Sequence, residues 1–153
     1  MHFSESINMV LGGYSDGNPY SDAQIVNLSN KTSTCNNFPD YPIAISGATG
    51  AIVDGHPIIC GGESEEFSSS ETASEYISYI ETIAHSECYH HSKATNSWTF
   101  LTNMSTKRAW SASVPVNGKL LVLGGKDEDY NSLATSEYVS PDGDATQPGP
   151  YLP

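Results

Sequence analysis

Short apolar runs that end in a glycine pair recur along the chain: Met9-Val10-Leu11-Gly12-Gly13, Ile58-Ile59-Cys60-Gly61-Gly62 and Leu121-Val122-Leu123-Gly124-Gly125. The copies stand 49 and 63 residues apart. Downstream of the pairs, Val26, Tyr89 and Tyr138 align, and the step from Val26 to Gly62 equals that from Tyr89 to Gly125, 36 residues. The unit is therefore about 49 residues long, and the second copy carries an insertion of 14 between its glycine pair and the next apolar segment. Self-similarity at a fixed period is the mark of a repeat architecture.

Each unit reads as short strands joined by turns. Asp54-Gly55 interrupts the apolar stretch Ala51 to Cys60, and Asn117-Gly118 interrupts Val114 to Leu123 at the equivalent place. Such dipeptides supply the two positive φ angles of a type I′ turn, whose twist suits a tight antiparallel hairpin. A third strand follows at Cys88 to His91 and at Ser136 to Val139. A turn at Lys93 to Asn96, or at Pro141 to Gly143, then leads toward a fourth, such as Ser97 to Leu101. Four antiparallel strands in ~49 residues make the unit of a propeller blade.

At these residues the chain resembles a Kelch-repeat β-propeller. The family pattern is an Arg-led first strand, a turn, an apolar strand ending in Gly-Gly, a Tyr-bearing strand and a later Trp. The third unit matches with Arg108, Asn117-Gly118, Leu120 to Leu123, Gly124-Gly125 and Tyr138; the second matches with Gly61-Gly62, Tyr89 and Trp98. The first keeps Gly12-Gly13 but has no Arg, and Ile45 stands where the third unit has Arg108. The position of Trp98 falls on Cys35 in the first unit and Gln147 in the third.

The resemblance implies an all-β fold, a partial Kelch-type propeller of about three four-stranded antiparallel blades. They are expected at about 5–42, 45–104 with the insertion within 63–87, and 108–153. By the 49-residue offset, Glu5-Ser6 match Asp54-Gly55, so the first blade is expected to lack its innermost strand. About two and three-quarter blades fall short of a closed ring, which needs at least four. A fragment of a longer protein is expected, one that self-associates through its open edges. In function the resemblance implies a non-enzymatic protein-interaction module with a protein partner. The alternatives are the substrate-recognition part of a ubiquitin-ligase adaptor, a fragment of a galactose-oxidase-like copper enzyme, or a carbohydrate-binding propeller using Tyr14, Tyr20 and Tyr130.

The segment Glu63 to Glu87 holds seven Glu and no Lys or Arg. Ala73, Tyr76, Ile77, Ile80, Ile83 and Ala84 follow helical spacing, and Thr72-Ala73-Ser74-Glu75 matches a capping box. A short helix is the first expectation; three Ile and two Tyr also suit a β extension, and a mobile loop is the third alternative. In function the segment reads as a covered excursion or, less often, a docking element.

Charge narrows the function classes. Eighteen acidic against six basic residues give −12, which argues against nucleic acid, where a basic face must neutralise phosphates. No run approaches the ~20 apolar residues of a membrane-spanning helix, and Met1 to Ser6 lacks the basic and apolar regions of a signal peptide. The glycine pairs lead into polar segments rather than helix N-termini, so they do not read as phosphate loops.

His85, Cys88, His90 and His91 are the densest potential metal ligands. On a strand, Cys88 and His90 take one face while Tyr89 and His91 take the other, so the four do not converge. Neither metal nor cofactor is expected, and no nucleophile elbow or general-base constellation occurs. Cys60 and Cys88 end neighbouring strands and are expected to form a disulfide with Cα atoms ~4.4–6.8 Å apart, leaving Cys35 over. That bridge, with sequons at Asn27, Asn30 and Asn103, tilts the compartment toward the extracellular.

Overall fold

Each apolar run becomes the second strand of a four-stranded antiparallel sheet. The computed structural model describes all residues except 1, 5, 6, 28, 30, 31, 35–37, 73 and 74. The first unit comprises β1 (His2–Ser4), β2 (Ile7–Leu11), a small ribbon of β3 (Tyr14–Ser15) and β4 (Asn18–Pro19), then β5 (Ala23–Asn27) and β6 (Thr32–Thr34). The second comprises β7 (Thr49–Val53), β8 (His56–Cys60), β9 (Glu63–Thr72), β10 (Glu75–Ala84), β11 (Glu87–Ser92) and β12 (Ser97–Asn103). The third holds β13 (Ala112–Val116), β14 (Lys119–Leu123), β15 (Ser136–Val139) and β16 (Gln147–Pro148). The sheets run β1-β2-β5-β6, β7-β8-β11-β12 and β13-β14-β15-β16, each order following the chain. The protein is all-β, its sheets antiparallel and open, and no helix occurs among the described residues.

The hairpins turn where the sequence places them. Asp54 and Gly55 have φ of 49° and 81°, and Asn117 and Gly118 have 49° and 73°. Asp16 and Gly17 repeat this pair at 52° and 81°, joining β3 to β4.

Three expectations need correction. First, β1 pairs with β2 through His2↔Asn8 and Ser4↔Ile7, so the first sheet has four strands and does not lack its first. The offset placed the turn at Glu5-Ser6 and left the residues ahead of it uncounted. Second, the insertion is no helix but the β9–β10 ribbon, paired without a break from Glu63↔Ala84 to Thr72↔Glu75. Ile and Thr on β10 favour strand, and β9 begins directly after Gly62. Ala73 and Ser74, half of the capping box, lie outside the described residues.

Third, Tyr89 and Tyr138 are not equivalent. Tyr138 lies opposite Leu121, whose counterpart Ile58 faces His90, while Tyr89 faces Ile59. Ladder pairing makes Ala23, Cys88 and Ser136 the matching residues, opposite Leu11, Cys60 and Leu123. Measured to these, the second unit exceeds the first by 16 residues rather than 14. Gln147, opposite Tyr138, then matches Thr99, opposite His90, and not Trp98. Matching by residue type ignored the ladder, which also carries a bulge at Cys88/Tyr89.

Two apolar clusters lie between the sheets. Met9, Leu11, Phe38, Tyr41, Ile45, Ile59, Tyr89 and Trp98 join the first sheet to the second. Val53, Ile58, Cys60, Cys88, Met104, Leu120, Val122 and Val139 join the second to the third. The strand alternation of period two sends Ile58 and Cys60 forward and Ile59 back, so one sheet serves both clusters.

Cys60 and Cys88 are fully buried and joined by a disulfide, with Cα atoms 4.1 Å apart. That is shorter than expected, because the two face each other directly across the ladder, where Cα atoms approach ~4.5 Å. Cys35 lies outside the described residues. Closing a loop with a sequence separation of 28 contributes about 3–4 kcal/mol. The double variant Cys60→Ala/Cys88→Ala should therefore melt roughly 6–16 °C lower, read by calorimetry without reductant. Equal melting temperatures would remove the bridge from the account.

Candidate functional site

The glycine pairs organise the junctions between sheets, and they do so by backbone hydrogen bonds. The first glycine of each pair donates to its own third strand: Gly12 to Asp22, Gly61 to Glu87 and Gly124 to Thr135, at 2.9–3.0 Å. The second donates to the next sheet: Gly13 N to Ile45 O and Gly62 N to Arg108 O, both 2.9 Å. In return Ile45 N donates to Tyr20 O and Arg108 N to His85 O. All six glycines have positive φ, and a Cβ on Gly12 or Gly61 would strike the carbonyl oxygen of Ile45 or Arg108. Only glycine meets both demands.

Ile45 and Arg108 thus act as straps, and the neighbours that follow them repeat as well. Ser46 exchanges two backbone bonds with Glu63, and Ala109 does the same with Lys126. Gly47 and Trp110 come next, both with left-handed φ, of 62° and 58°. Trp110 N donates to Gly47 O at 2.7 Å, and its indole lies where a Cβ on Gly47 would sit.

Arg108 is buried, and its two terminal nitrogens bond inside the third sheet, while its Nε has no partner among the described residues. Nη1 donates to Gly124 O at 2.9 Å and to Thr135 O at 3.1 Å; Nη2 donates to Glu137 Oε1 at 2.6 Å. Glu137 Oε2 accepts from Ser105 N at 2.6 Å and from Thr146 Oγ1 at 3.0 Å. Burial pushes the Glu137 carboxyl up, but the Ser105 N–H and the Arg108 guanidinium outweigh it and hold it below the ordinary range. No single residue pattern pointed to Glu137. It sits where the second unit has Tyr89.

Trp98 closes the other junction. Its indole N–H donates to Pro39 O at 3.0 Å, and its ring packs edge-on against Tyr41 and Phe38 at 5.2 and 5.9 Å. Tyr89 packs edge-on against the same Tyr41 at 5.4 Å. Tyr138 stands apart, on the outward side of the third sheet beside Lys119 and Gln147.

The histidines and Cys88 each have other partners. Cys88 is in the disulfide. His85 Nε2 lies 2.8 Å from Ser64 Oγ, and its Nδ1 lies 3.3 Å from Glu87 Oε2. His91 stacks on Phe38 at 4.4 Å and meets Asn96 Oδ1 at 3.3 Å; burial lowers its pKa. His90 lies 6.4 Å from the ring of His56.

The insertion, whose sequence also suits a β extension, forms an exposed surface on the ribbon. Phe67 and Ile80 face each other directly across β9 and β10 and are 75% and 57% exposed. Tyr79, on the opposite face, is also exposed. Glu66 and Glu81 stand directly opposed, a like-charge pair that costs stability. At the ribbon's base Tyr130 donates to Glu63 Oε2 at 3.4 Å. A hydrogen bond to Glu65, with some burial and the Glu65 and Glu63 charges, raises the Tyr14 hydroxyl's pKa. Phe67 escaped notice because Ser and Glu surround it, without the periodicity that marks a buried element.

Neither a family model nor a curated protein matches the chain. Among solved structures it is similar to that of YjhT, with a TM-score of 0.66 and 16% identity. The match takes in 94% of this chain and 51% of that one, so the chain spans about half the length of YjhT. At this identity the likeness concerns the fold alone.

The buried pair makes stability pH-dependent. Glu137's folded pKa lies below its unfolded value, so its contribution is full above the ordinary range near ~4.3 and is lost as pH falls through the folded value. Glu137→Gln should cost about 3–5 kcal/mol at pH 7 by stranding Arg108. Urea denaturation from pH 7 to pH 3 should show wild type starting to lose that advantage below about pH 4, by up to ~2 kcal/mol at pH 3. Parallel curves for the two proteins would refute the assignment.

Proposed function

We propose that this chain is a non-enzymatic protein-interaction module, built as part of a Kelch-type β-propeller. Three successive four-stranded antiparallel sheets, with glycine pairs at each junction, support the Kelch reading. The observation that carries the function is the β9–β10 ribbon. It extends ten paired residues from the second sheet and presents Phe67 and Ile80 to solvent.

An element kept only for stability would not expose this pair or oppose two glutamates. A partner would bury the Phe67–Ile80 face, each large side chain contributing ~1.5–3 kcal/mol on full burial. The ribbon's glutamates would favour a partner with a basic rim, through faster encounter and orientation. Sites on rigid scaffolds of this kind often reside in the projections between strands.

The double variant Phe67→Ser/Ile80→Thr tests the reading. Both changes are at exposed positions, so stability should move by no more than ~0.5 kcal/mol. A partner isolated by crosslinking to the wild-type chain should bind the variant at least about tenfold more weakly, a loss of ~1.4 kcal/mol. Raising salt should slow its association. An unchanged dissociation constant, measured by calorimetry against the same purified partner, would move the site elsewhere.

A further inference from the structure

We infer that Asn103 carries an N-linked oligosaccharide, added in a compartment that also oxidises the chain's cysteines. The site closes β12 and is independent of what the ribbon binds.

Asn103-Met104-Ser105 is an acceptor triplet with no Pro at its middle position. Such triplets are common in sequences, so the fold decides whether one can hold a glycan. β12 is the outer strand of the second sheet, bonded to β11 and to no further strand. Asn103 is its last residue and stands opposite Glu87 on β11. Met104 is 4% exposed and belongs to the cluster between the second and third sheets, while Asn103 and Ser105 on either side of it are exposed. Burying the middle residue turns the asparagine outward, as the alternation of side chains along an extended chain requires.

The amide of Asn103 is also uncommitted at the atom that reacts. Its Oδ1 accepts a long hydrogen bond from Ser86 Oγ at 3.5 Å, and its Nδ2 has no partner among the described residues. Asn18 and Asn131, which begin no such triplet, use Nδ2 inside the fold. Asn18 donates to Asp16 O and Asn131 to Asp127 Oδ2, both at 3.2 Å. A glycan on Asn103 Nδ2 would displace no internal bond, and a bulky, solubilising group belongs at such a surface position.

The disulfide supplies an independent condition. Cys60 and Cys88 are bonded and fully buried, and bridges of this kind form and persist in the oxidising compartments through which secreted chains pass. There the donor is an oligosaccharide linked to a lipid pyrophosphate. Asn103 Nδ2 attacks C1 of the first sugar; the N–C1 bond forms, the C1–O bond to the pyrophosphate breaks, the amide gives up one proton and the lipid pyrophosphate leaves. No electrons change hands, so the step needs no oxidant.

The test is peptide mass spectrometry of the chain from its natural source, and of the full chain secreted by cultured eukaryotic cells behind a cleavable signal peptide. Trypsin cuts after Lys93 and Lys107, and the peptide between them holds this triplet alone. It should carry the added mass of an oligosaccharide, which peptide N-glycosidase removes to leave Asp at position 103. Asn103→Gln and Ser105→Ala should each abolish the added mass, and Ser105→Thr, which keeps the triplet, should retain it. The proposal is overturned by a bare Asn103 in the chain from either source. It is overturned equally by an added mass on this peptide that resists the glycosidase or survives Asn103→Gln.

Discussion

The hydrogen bonds from Gly13 and Gly62, the second glycines of the first two pairs, to the strap carbonyl ahead of the next sheet set how the three sheets stand together. They fix how far one sheet stands from the next, because the strap reaches Gly13 or Gly62 at 2.9 Å. A side chain at the first glycine would fill the strap's path, and left-handed φ excludes most residues from both positions. Once that contact is made, the forward face of one sheet meets the backward face of the next, and the apolar clusters follow.

The two junctions use the same backbone contact and different side chains. At the first, Ile45 and the aromatics Tyr41, Tyr89 and Trp98 fill the space. At the second, strap Arg108 turns into its own sheet and pairs with Glu137, while Val53, Ile58, Met104, Leu120, Val122 and Val139 make the apolar contact. The disulfide adds to the second cluster from the side of the second sheet. A buried ion pair contributes little net stability, yet removing one partner is costly. The third sheet is therefore held in a form sensitive to acid.

The ribbon grows out of this frame without disturbing it. Glu63 follows Gly62 directly into β9, and β10 returns to His85, whose backbone bonds both Gly62 and Arg108. The junction therefore survives an insertion of this length, since only its two ends take part. That leaves the ribbon's outer residues free to carry a function. Phe67 and Ile80 are bound by no internal demand, unlike Trp98 or Arg108.

By itself the sequence determined the repeat, the antiparallel strands, the hairpin turns and the disulfide, because each is local or periodic. Asp54-Gly55 and Asn117-Gly118 dictate a turn whatever surrounds them, and Cys60 and Cys88 end strands that the period makes neighbours. Tertiary structure decided the rest. Whether Tyr138 answers Tyr89 depends on ladder pairing, which moves every side chain to the other face with a slip of one residue. Helical spacing from Ala73 to Ala84 gave way to strand because β10 pairs in unbroken register with β9 and its Ile and Thr residues favour strand. The pairing of Arg108 with Glu137, 29 residues on, and the exposure of Phe67 beside Ile80 have no local signal. They arise only when distant segments share space, which is where the physics of burial and charge assigns a residue its role.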